Sequence, residues 1–81
     1  MFFYIDTIEQ IKGSDGALTE YGKREKVKDL NTALSKFYTT LANVSADLEK
    51  NHTYMSIKIV NSYDGVIKSD NIGAYQLEPT S

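Results

Sequence analysis

Between Asp29 and Lys50 the large apolar residues fall at Leu30, Leu34, Phe37, Leu41, Val44 and Leu48, in steps of 4, 3, 4, 3 and 4. That spacing keeps side chains on one face of a helix. Neither Gly nor Pro interrupts the stretch. Either Asp29 or Asn31 suits the cap, because both side chains accept hydrogen bonds from the free N–H groups of a first turn. The helix is expected to stop near Lys50-Asn51-His52, where Lys50 and His52 complement the macrodipole. The stripe resembles a coiled-coil seam in spacing, yet it spans only about three heptads and has no consistent flanking charges. Ala33 and Tyr38 widen it, which suits packing on a flat sheet.

The flanking segments read as strands. Phe2, Phe3, Tyr4 and Ile5 are strong strand formers at the start of a segment running to Ile11. Phe3 and Ile5 share one face there while Ile8 takes the other, so a bulge near Asp6–Thr7, or cover on both faces, is expected. Gly13-Ser14-Asp15-Gly16 is a turn that closes a hairpin. Its second strand, about Ala17 to Val27, is heavily charged, as an edge strand often is. An early helix start near Glu20 is the rival reading, with Gly22 as an interior defect that costs roughly 1 kcal/mol against Ala. Thr53 to Val60 is the cleanest alternation, with Met55, Ile57 and Ile59 on one side and Tyr54, Ser56 and Lys58 on the other. It is expected to lie centrally, under the helix. Asn61 to Gly65 ends in Asp-Gly and reads as a hairpin loop. Val66 to Lys68 opens a fourth strand that bends or resumes near Ile72, and Gly73 permits an irregular approach there. Residues 76–81, with the single Pro, read as a frayed tail.

The expected fold class is therefore α+β, with two β-hairpins flanking one long helix in the order β-β-α-β-β. The four strands form a mainly antiparallel sheet with the helix on one face. A chain of 81 residues makes one small domain with a modest core, and oligomerisation is a common supplement at that size. There are no internal repeats and no low-complexity segments.

Composition narrows the chemistry. The absence of Cys removes disulfides, thiolate catalysis and Cys-type zinc sites. A net charge of −2 argues against general nucleic-acid binding, whose affinity comes mostly from phosphate neutralisation. No apolar run is long enough for a membrane span, and the Met-Phe-Phe-Tyr start lacks the basic leader and apolar stretch of a signal peptide. The expected location is cytoplasmic, and the Asn43-Val44-Ser45 and Asn51-His52-Thr53 triplets are read as chance matches to a glycosylation site.

Candidate sites are few. His52, the only His, sits at the helix-to-strand junction close in sequence to Asp47 and Glu49. General acid–base work would need a carboxylate within hydrogen-bond reach of it, and an exposed junction residue is the plainer reading. Asn61, Asp64, Asp70 and Asn71 do not match calcium-loop spacing, and turn chemistry accounts for Asn61, Asp64 and Gly65. The two-Gly turn lacks the Lys-Ser/Thr ending of a phosphate loop, and Ser14, Ser35 and Ser45 lack a His–carboxylate set. No catalytic residue, cofactor or metal is expected.

Two surfaces stand out instead. If one helix covers one sheet face, Phe2, Tyr4, Tyr54 and Val60 fall together on the other, as an apolar patch of the kind that marks contacts. The reading that follows is a non-enzymatic protein-interaction module that self-associates, most simply as a homodimer. The alternative is a small nucleic-acid-associated protein using Tyr21, Lys23, Arg24, Lys26 and Lys28, the one basic cluster beside an aromatic ring.

Overall fold

A computed structural model describes residues 2–48 and 50–77; residues 78–81 of the tail, and Glu49, lie outside the described residues. The elements are β1 (Phe3–Lys12), β2 (Leu18–Val27), α1 (Leu30–Asp47), β3 (His52–Asn61) and β4 (Val66–Gly73). They form one open sheet in the order β2-β1-β3-β4, with every neighbouring pair antiparallel. The β-β-α-β-β order and the helix on one sheet face are as the sequence pattern requires.

Residues 18–27 are a strand, not an early helix. They pair with β1 without a register break, from Phe3 opposite Val27 to Lys12 opposite Leu18. The strand wins because a whole ladder of backbone hydrogen bonds with β1 outweighs weak local propensity, and Gly22 interrupts no helix. The bulge expected near Asp6–Thr7 is absent. The register between β1 and β3 shifts instead at Gln10/Ile11. Ile8 needs no bulge, because it stays on the sheet face opposite the helix and is 44% exposed there.

Asp29 is the N-cap of α1: its carboxylate accepts from the Thr32 backbone N–H at 2.7 Å. The helix ends at Asp47, about one turn earlier than expected, with Leu48 at the C-cap and the chain turning into β3 at once. All six residues of the helical stripe meet the core, Phe37 and Val44 buried and Leu30, Leu34, Leu41 and Leu48 packed around them. Against them stand Met55, Ile57 and Ile59 of β3, Ile5 of β1 and Val27 of β2. At 18 residues the helix is about 27 Å long, close to the roughly 33 Å of a ten-residue strand. It lies mainly over β3 and β1, and so leaves both edge strands thinly covered.

The hairpin loop after β3 is built on Asn61. Its side-chain oxygen accepts from the backbone N–H groups of Tyr63 and Gly65 at 2.8 and 2.9 Å, while Asp64 takes a left-handed φ of 63°. β4 runs unbroken to Gly73, with its register shift at the loop end, between Ile59 and Val60 of β3. Gly73 has φ 76°, and a Cβ there would collide with the Thr53 carbonyl oxygen, so only Gly fits. No helix among the described residues is long and apolar enough to cross a membrane.

Candidate functional site

The sheet face away from the helix is where the sequence places an interaction patch. Pairing register assigns it. Tyr4 lies opposite Val60 and Lys26, Asp6 opposite Lys58 and Arg24, Ile8 opposite Ser56 and Gly22, and Gln10 opposite Tyr54 and Glu20. Phe2, Tyr4, Tyr54 and Val60 therefore do share this face, but the chain itself occupies much of it.

At one end, the Phe2 and Tyr4 rings meet edge to face at 5.4 Å. The Lys26 ammonium stands 4.0 Å above Phe2 and the Arg24 guanidinium 4.6 Å above Tyr4. Arg24 also grips Asp6 in a two-pronged ion pair, Nε to Oδ1 at 2.6 Å and Nη2 to Oδ2 at 2.7 Å. That pair holds the Asp6 carboxyl below its ordinary value, with the Arg24 hydrogen bond the chief cause. Asp64, from the β3–β4 loop, reaches Arg24 at 3.7 Å. Val60 is only 2% exposed and has no surface to offer a partner in this conformation.

At the other end, the chain beyond Gly73 crosses the same face. The Ala74 N–H donates to the Thr53 carbonyl at 2.9 Å. Tyr75 packs edge to face on Tyr54 at 5.5 Å and donates its hydroxyl hydrogen to Glu20 at 2.9 Å. Gln10, buried, then holds Gln76 by both backbone groups: its Nε2 donates to the Gln76 carbonyl at 2.7 Å, and its Oε1 accepts from the Gln76 N–H at 2.8 Å. The Thr53 hydroxyl donates to the same Oε1 at 2.6 Å. A shallow cavity of about 250 Å³ is left between this strap and the start of β2. Sequence reading could not find the grip, since Gln10 and Gln76 are 66 residues apart.

The basic cluster is not one patch. Alternation along β2 puts Tyr21 and Lys23 on the helix side and Arg24 and Lys26 on the opposite side, while Lys28 lies beyond the strand end. Arg24 and Lys26 already serve Asp6, Tyr4 and Phe2. A backbone of phosphates following one face would meet only part of the set.

His52 is not an exposed junction residue. Its side chain is 16% exposed and lies between two carboxylates, Nδ1 to Asp47 Oδ2 at 2.7 Å and Nε2 to Glu9 Oε1 at 3.0 Å. The sequence offered Asp47 as a neighbour but hid Glu9, which β1 brings in from 43 residues away. The His52 hydrogen bond holds Asp47 below its ordinary value. A carboxylate on each nitrogen leaves no ring nitrogen to meet a substrate, and the two carboxylates flank the ring rather than converge on one point. The arrangement ties the C-terminal end of α1 to β1 and β3. Among the described residues no group of three His, Asp or Glu side chains is placed to hold a metal ion.

Large apolar side chains stand exposed singly at Ile8, Tyr21 and Leu77, and three more fall on the β3–β4 hairpin. Tyr63 is 88% exposed, Val66 57% and Ile67 44%. Tyr38 of α1 is exposed beside the same strand, where the Lys68 ammonium lies 5.5 Å from its ring. No family model, curated protein or solved structure matches this chain.

Proposed function

We propose that this chain is a non-enzymatic protein-interaction module that associates with a second copy of itself through its sheet. One observation carries the reading: Tyr63, Val66 and Ile67 all stand exposed on the hairpin at the border of an open sheet, with Val66 and Ile67 on opposite sides of β4 so that apolar side chains flank its free edge. Neighbouring exposed apolar side chains of this kind mark contact surfaces. The proposal shifts the contact from Phe2, Tyr4, Tyr54 and Val60 toward β4, because the first four are already engaged or covered within the chain. The engagement of both His52 nitrogens supports a structural rather than a catalytic role for that residue. A cytoplasmic setting belongs to the same proposal, supported by the lack of Cys.

The test is sedimentation of the whole chain from low to high micromolar concentration. The expected result is a reversible rise from the 9.1 kDa monomer toward twice that mass. A strict monomer up to several hundred micromolar overturns the proposal.

A further inference from the structure

Both sheet edges expose backbone groups that a further strand could use. They differ in what their side chains are free to do. On β2, Arg24 is paired with Asp6 and Lys26 with the Phe2 ring, and although Lys23 has no ion pair among the described residues, Glu25, the acid two residues from it, is taken by Lys36. On β4, Asp70 has no ion-pair partner among the described residues, and Lys68 lies only loosely over the Phe37 and Tyr38 rings, at 5.8 and 5.5 Å. Register with β3 sets Lys68 opposite Ile59 and Asp70 opposite Ile57, so both project on the helix side of the sheet. Ser69, between them, lies opposite Lys58 and projects on the other side.

Lys68-Ser69-Asp70 reads as its own complement when turned about Ser69. Two antiparallel β4 strands related by a twofold axis through that residue place each Lys68 directly across from the other copy's Asp70. Small Ser69 meets itself at the axis without a clash. Directly opposed side chains in an antiparallel pair have Cβ atoms about 4.5–5.5 Å apart, close enough for both ion pairs to form. A lone Lys on an edge discourages pairing, but a Lys two residues from an Asp discourages every partner except one of matching register.

We infer that β4 pairs with β4 of a second copy, antiparallel and centred on Ser69, so that Lys68 of one protomer faces Asp70 of its partner. This inference rests on the self-association proposed above and names its surface. It makes one continuous eight-stranded sheet with both helices on the same face. The axis stands perpendicular to the sheet, so the Tyr38 rings flank the seam on the helix side and the exposed Val66 and Ile67 lie along it.

The experiment is a charge-swap cycle on the whole chain, read by sedimentation with circular dichroism to confirm folding. Lys68→Asp and Asp70→Lys each put like charges across the seam twice, and each is expected to raise the dimer dissociation constant roughly tenfold or more. The double variant Lys68→Asp/Asp70→Lys restores opposite pairs and is expected to return within about threefold of the parent. A second measurement does not depend on those variants folding. The chain has no Cys, so Ser69→Cys carries a single thiol at the axis. It is expected to form a disulfide-linked dimer under mild oxidation much faster than Thr19→Cys on the other edge. A parent that dimerises while both single variants dimerise equally tightly, or equal crosslinking at positions 69 and 19, overturns the β4 pairing and leaves self-association standing. A monomeric parent overturns both.

Discussion

Gln10 shows how one side chain can fasten two distant parts of a chain. It sits in β1 on the sheet face away from the helix, where an exposed polar residue would be ordinary. The chain after Gly73 crosses above it, and its amide forms a matched pair of hydrogen bonds with the Gln76 backbone. A buried amide left without partners costs about 1–3 kcal/mol, so the grip and the strap require each other. Gln10→Ala should therefore lower stability by about 1–3 kcal/mol and release Tyr75 from Tyr54. Chemical denaturation measures the first effect, and loss of near-ultraviolet tyrosine circular dichroism reports the second. Unchanged stability would mean that the strap is not held at Gln10. In the sequence, Gln10 is one polar residue in an alternating strand, and nothing local distinguishes it from Glu9 or Lys12. The same limit hid Glu9 as the second partner of His52. Contacts across the sheet follow from strand order, and strand order is set by the whole core rather than by neighbours in sequence.

At the scale of elements, the helix is the internal prop of the sheet. Phe37 is fully buried at its centre, among Met55, Ile57 and Ile59. Phe37→Ala should cost about 3–5 kcal/mol, enough to unfold much of a domain whose total stability is of that order. Phe37→Leu, which leaves a smaller void, should cost roughly 1–2 kcal/mol and keep a cooperative transition. Thr39→Ala, on the exposed side of the same helix, should stay within about 0.5 kcal/mol of the parent. Urea titrations of the three variants check the ordering, and a Phe37→Leu cost no larger than that of Thr39→Ala would contradict the packing. The stripe from Leu30 to Leu48 and the alternation from Met55 to Ile59 made helix and central strand legible, because each element buries one face and its period survives in the sequence. β2 was less legible for the opposite reason. Only Val27 of its side chains is buried, so no apolar period was imposed on it. Its pairing comes from backbone bonds, which leave little mark on side-chain identity. The patch that the sequence offered as a contact was legible only as a matter of face. Parity placed Phe2, Tyr4, Tyr54 and Val60 together on the face away from the helix, but it could not show that Arg24, Lys26 and the strap would reach over them.

For the whole molecule, three acidic side chains tie elements together and a fourth caps the helix, and all four are held below their ordinary values. Asp6 joins β1 to β2 and is lowered chiefly by its hydrogen bond from Arg24. Glu25 joins β2 to α1 and is lowered chiefly by its hydrogen bond from Lys36. Asp29 caps α1 and is lowered chiefly by the Thr32 backbone N–H. Asp47 joins α1 to β3 and is lowered chiefly by its hydrogen bond from His52. In each case the folded carboxyl gives up its proton more readily than the unfolded one, so near the transition the unfolded state binds more protons. Stability from these groups is thus fully present above the ordinary values of 3.8 for Asp and 4.5 for Glu, and it is lost as pH falls through the lower folded values. The urea midpoint should therefore fall steadily from about pH 5 toward pH 2. All four groups lie near the surface, where ions screen such pairs, so 1 M salt should flatten the decline. Asp47→Asn should also flatten it, since that variant removes one of the four titrating groups. A midpoint that stays level from pH 5 to pH 2 in low salt would mean that these carboxylates do not hold the elements together. A decline unaffected by salt would place the acid-sensitive groups in the interior instead.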